Sequence, residues 1–131
     1  MLDVAVWQPE PVALRIFPST RYVQEQGQPL LEARIELLDA MGDSIKAAGQ
    51  MQLELFASDP AGLTLGRRLY LWNAAVLTLE DQREHYDPIT RTYLFRLELD
   101  DLAVTQRSTV LRATFVPAAG GKRLQTQAAM R

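Results

Sequence analysis

Small or apolar side chains alternate with charged ones through Leu31-Glu32-Ala33-Arg34-Ile35-Glu36-Leu37. Alternation with a period of two places one set of side chains on each face of an extended chain, so the segment predicts a strand with one buried face. Gln50-Met51-Gln52-Leu53-Glu54-Leu55 repeats the pattern, and the intervening Asp39-Ala40-Met41-Gly42-Asp43-Ser44 is rich in turn formers, so the two strands are expected to pair or to stack. Thr92–Leu99 sets Tyr93, Phe95, Leu97 and Leu99 on one face, and Thr109–Phe115 does the same with Leu111, Ala113 and Phe115. Both predict strands. Pro117-Ala118-Ala119-Gly120-Gly121-Lys122 reads as a hairpin connection with glycine where positive φ is needed, leading into a terminal strand over Arg123–Ala128. Val12–Phe17 is a first strand that stops at Pro18, and because proline lacks a ladder donor it belongs at or near a sheet edge.

Arg67-Arg68-Leu69-Tyr70-Leu71-Trp72 predicts a further short strand. Helical signal is confined to Thr78–Glu84, where a capping residue precedes acidic first-turn positions, enough for one turn or for an extended lead into Asp87-Pro88-Ile89-Thr90. Asp87-Pro88 suits the first two positions of a type I turn and sets a hairpin or corner before Tyr93. About seven short strands punctuated by Gly, Pro and Asp predict an all-β fold: a two-sheet antiparallel β-sandwich, an immunoglobulin-like Greek key, filling residues 1–131 as a single domain. A small β-barrel is the alternative.

Composition narrows the chemistry. With 131 residues, Lys+Arg 14 against Asp+Glu 16 and a formal charge of −2, the chain offers no general attraction for phosphate backbones, so nucleic acid is not an expected partner. Cysteine is absent, which removes disulfides, thiolate metal sites and thiol nucleophiles. No apolar run approaches a membrane span, so no membrane insertion is expected. Met1-Leu2-Asp3-Val4 lacks the flank and apolar run of a secretion signal, so the protein is expected to be cytoplasmic or to take its export segment from outside this sequence. Pro9-Glu10-Pro11 suits a lead-in from an upstream domain. Lys46 and Lys122 are the only lysines, an arginine bias that reads as base composition rather than as a binding device.

Catalytic constellations are sparse. His85 is the only histidine, and its neighbours Asp81, Glu84 and Asp87 lie in a polar turn region where solvated side chains are the simpler reading. Asp100, Asp101 and Asp59 lack the dense Asp/Asn/Gly loop of a calcium site. Ser19, Ser44, Ser58 and Ser108 lie outside any nucleophile elbow, and Gly62-Leu63-Thr64-Leu65-Gly66 lacks the lysine of a phosphate loop and reads as a flexible loop. No cofactor is implied. The ligand-binding candidates are Arg68, Tyr70 and Trp72: with Leu69 and Leu71 inward, these three share the opposite face and offer an aromatic and guanidinium row to a sugar ring or a peptide. The competing structural role sets Trp72 under a loop or over the sandwich edge. Phe56, on the polar face of its strand, adds to a partner surface, Trp7 is expected to anchor the N-terminus, and Pro18, Arg96 and Arg112 are expected to shield strand edges.

Asp39–Gly49, followed by the alternating Met51–Leu55, resembles the second and third strands of bacterial immunoglobulin-like or transthyretin-like sandwich domains, which often run strand, Asp-x-x-Gly turn, strand. The Tyr93 strand and the Gly120-Gly121 hairpin fit the same plan, whereas the cysteine pair and central tryptophan of antibody domains are absent. The resemblance implies an accessory or adhesive module, frequently of exported or lipid-anchored cell-envelope proteins, and transfers no catalytic residue. The expectation is therefore a noncatalytic interaction or spacer module with a protein or glycan partner. A carbohydrate-binding module built on Arg68, Tyr70 and Trp72 is the first alternative, and an enzyme centred on His85 the second.

Overall fold

The computed structural model of the protein describes residues 6–130. Ten strands form two antiparallel sheets packed face to face. The first sheet is built on β3 (Gln28–Leu38). One side of β3 carries β1 (Ala13–Ile16) and β2 (Arg21–Glu25), and the other carries β4 (Ser44–Ile45) and β8 (Thr92–Glu98), with β7 (Tyr86–Asp87) beyond β8. The second sheet runs β10 (Leu124–Ala129), β9 (Thr109–Pro117), β5 (Gly49–Ser58), β6 (Leu65–Val76). The chain crosses between sheets after β4, after β6 and after β8, which gives Greek-key connectivity and an open sandwich, not a closed barrel.

The alternation in β3, β5, β8 and β9 works as the period demands. Leu31, Ala33, Ile35 and Leu37 meet Met51, Leu53 and Leu55 across the interior, together with Tyr93, Phe95, Leu97, Leu111, Ala113 and Phe115, all buried in one cluster. β3 and β5 therefore stack and do not pair. The Asp39 carboxylate receives the amides of Met41 and Asp43, so the turn between β3 and β4 is closed by its own first residue. At Asp87, the Ile89 amide donates to Oδ1 and the Arg91 amide to the main-chain carbonyl, which makes the β7–β8 hairpin. Gly120 and Gly121 both hold positive φ in the β9–β10 turn.

β1 lies at an edge as Pro18 predicts, and β2, which residue order leaves out, follows from backbone geometry. β1 and β2 run along the same side of β3 as one edge interrupted at Pro18-Ser19, and β2 turns into β3 through Gln26 (φ 53°) and Gly27 (φ 80°). A type I′ two-residue hairpin needs positive φ at both residues, and glutamine is not an ordinary occupant, so the turn has no Asn-Gly signature. The helical signal becomes α1 (Leu79–His85), opened by a reciprocal cap in which Thr78 Oγ1 accepts from the Asp81 amide and the Asp81 carboxylate accepts from the Thr78 amide. Gln82 fastens α1 to the sandwich by donating to the carbonyls of Ala47 and Val76 and accepting from the buried Tyr93 hydroxyl. Trp7 is 54% exposed, so it does not serve as a buried anchor.

Candidate functional site

The sequence places Arg68, Tyr70 and Trp72 on one face of a short strand. β6 is twelve residues long, and its register against β5 breaks between Leu55 and Phe56: Leu55 faces Tyr70, but Phe56 faces Arg68, leaving Leu69 as the extra residue of a bulge. Cross-strand partners share a face, so Tyr70 and Trp72 turn inward with Leu55 and Leu53, whereas Arg68 turns outward with Phe56. Leu71, expected inside, is on the outer face opposite Glu54 and 40% exposed. The three candidates are thus divided between two surfaces. Gly66 lies at a second register shift, between Phe56 and Ser58, where a glycine within a strand commonly marks such a break, and no residue type marks the bulge at Leu69 itself.

Tyr70 and Trp72 stack with parallel planes and ring centroids 5.1 Å apart, half-buried against the core at the seam between β6 and β8. The Tyr70 hydroxyl donates to the Asp100 carboxylate and accepts from the Asp100 amide, and the Trp72 indole donates to the Glu98 carbonyl at 3.3 Å. Partial burial, then the hydrogen bond to Asp100, pushes the Tyr70 hydroxyl above the ordinary tyrosine range. The pair is a bolt between the two sheets.

Arg68 joins a network on the outer face. Glu54 is 5% exposed there and accepts from Arg68 and from Arg112, each at 3.1 Å, while the Arg112 guanidinium lies 4.6 Å from the Phe56 ring centroid. Burial opposes ionisation of Glu54, but the hydrogen bonds from Arg112 and Arg68 outweigh it and hold the carboxyl below its usual range. Arg112 therefore belongs to a central strand and does not guard an edge, and Phe56 is covered, not free to form a contact patch. Glu54 carried no signal beyond its place in an alternating strand.

Around His85, Asp81 and Asp87 are separately engaged and Glu84 is exposed. His85 Nδ1 meets the Leu94 carbonyl at 3.2 Å and its ring tilts against Phe95. Asp81 serves the α1 cap, and Asp87 pairs with Arg34 at 3.1 Å. Among the described residues no group of three or more His, Cys, Asp or Glu side chains is placed to hold a metal ion, and no helix is long and apolar enough to cross a membrane.

The seam itself is a groove of about 540 Å³ lined by Trp72–Ala74 of β6 and Phe95–Glu98 of β8, with His85 at its side. Among the described residues β6 is the last strand of its sheet, so no further strand pairs with its outer edge, and α1 meets the end of it through Gln82 and the Val76 carbonyl. β8 pairs with β7 only at Thr92 and Tyr93, and the Leu94 and Glu98 carbonyls on its open side are taken by His85 and Trp72. Comparison with protein-family models, with curated proteins and with solved structures found no match for this chain.

Proposed function

We propose that this protein is a noncatalytic interaction module of the immunoglobulin-like accessory kind, and that the outer edge of β6 is its contact element. One observation carries the reading: Tyr70–Val76 is a seven-residue stretch in unbroken register with β5, free of charge and of proline, with no strand on its other side among the described residues. Such an edge is a template for main-chain pairing. The side chains with acid–base chemistry nearby support the same reading, since Asp81, His85, Asp87 and Asp100 are committed to a cap, a strand carbonyl, an ion pair and a tyrosine.

A photoreactive amino acid placed at Leu71, and in a parallel variant at Arg15 on the opposite edge of the sandwich, tests the proposal in cells producing the protein. Adducts are expected from position 71 and not from position 15. Equal adduct yields from both positions would remove β6 as a contact element.

A further inference from the structure

Strand edges are ordinarily protected against pairing by charge, proline, brevity or cover. β1 and β2 are short, broken at Pro18, and carry Arg15 and Arg21, each in an ion pair. β7 has two residues and runs into Pro88. β10 lies beside β1, and the open side of β8 is capped by His85 and Trp72. Tyr70–Ala75 of β6 is longer than these and free of charge and of proline, with α1 against its end, where Gln82 takes the Val76 carbonyl.

We propose that two copies of this chain associate through that edge, β6 against β6 and antiparallel, about a two-fold axis at Asn73. The inference rests on the interaction-module reading and names the partner. In this alignment large side chains meet small ones: Trp72 faces Ala74 of the second copy, and Leu71 faces Ala75. Asn73, exposed on the outer face, meets its own equivalent, and a side-chain amide has both the donor and the acceptor that a symmetric pair needs. No cation faces a cation. Carried past the strand ends, the alignment brings the Arg67 end of one copy alongside the Thr78–Asp81 start of α1 in the other. Arg67 and Glu80 are exposed, and neither is ion-paired within its own copy among the described residues. Pairing would join the two four-stranded sheets into one continuous sheet and cover Leu71, which otherwise stands 40% exposed.

The absence of cysteine makes the register directly readable. Residues directly opposite in an antiparallel pair have Cα atoms about 4.5–5.5 Å apart, inside disulfide reach. Asn73→Cys should therefore form a covalent dimer under mild oxidation. Ala75→Cys should not, because its two copies would be four residues out of step, on the order of 13 Å along the strand. Arg15→Cys measures random collision. Sedimentation of the unaltered chain should show a dimer that grows with concentration. Asn73→Asp and Asn73→Lys should each abolish it, and mixing the two should restore a heterodimer. A chain that stays monomeric up to millimolar concentration, or an Asn73→Cys cross-link no greater than that of Arg15→Cys, overturns the proposal. If that happens while photoreactive Leu71 still captures a different chain, the dimer fails and the interaction-module reading stands; if Leu71 captures nothing, both fail.

Discussion

Glu54 gives the most direct test of how the outer face of the second sheet is held. Glu54→Gln keeps the shape of the side chain and removes the charge that Arg68 and Arg112 share, each at 3.1 Å. A hydrogen bond to a charged group contributes about 1.5–3 kcal/mol in a sheltered setting, whereas an exposed ion pair contributes about 1 kcal/mol or less. The Arg68 side chain is 50% exposed and belongs near the lower limit; the Arg112 side chain is 28% exposed, backed by Phe56, and belongs nearer the upper one. Glutamine retains one acceptor but turns an NH2 group toward a guanidinium, so the expected loss at neutral pH is about 2 kcal/mol.

The pH dependence fixes the sign. The Glu54 carboxyl is lowered in the fold, so its ionised form favours the folded chain; that stabilisation is complete above the ordinary glutamate range and disappears as pH falls through the depressed folded value. Urea unfolding of both proteins at neutral pH and down to about pH 3, below the ordinary glutamate value of about 4.3, should show a gap that is constant near neutrality and narrows in acid. Other carboxylates titrate in both proteins and cancel in the difference. Equal midpoints at neutral pH, or a gap that persists unchanged in acid, would refute the argument that the shared charge stabilises this face.

Gly49→Ala should lose about 3 kcal/mol in the same assay, because overpacking of this kind is costly and the added Cβ would stand 2.5 Å from the Phe115 ring and from the Val116 carbonyl oxygen, a main-chain atom fixed by the β5–β9 ladder. Tyr93→Phe should cost about 2 kcal/mol, since the Ala47 amide and Gln82 Oε1 both lose the buried hydroxyl as partner; amide exchange should quicken first at Ala47 if the assignment is right. Trp7→Phe leaves Trp72 as the only fluorophore of its kind, and its emission should be bluer and less quenched by acrylamide than that of Trp7 in a Trp72→Phe protein; equal quenching would contradict the bolt between the sheets.

Where alternation was uninterrupted, reading it was enough. In β3, β5, β8 and β9 each residue's side of the sheet follows from its parity, and burial of one apolar face is the main driving force for folding, so those four strands and their core side chains were legible from residue order. Capping and turn chemistry at Thr78, Asp87 and Gly120-Gly121 was legible for the same local reason: each side chain or φ acts within a few residues of itself. The candidate row at Arg68, Tyr70 and Trp72 was not, because parity is preserved only while the ladder is regular. The extra residue at Leu69 exchanges inside for outside, and no residue type at that position announces it. Residue order thus determined which segments are extended and which of their faces are apolar. Tertiary structure decided which strands became neighbours, where the ladder slipped, and hence which edge was left without a partner, since those outcomes depend on contacts between residues far apart in the chain.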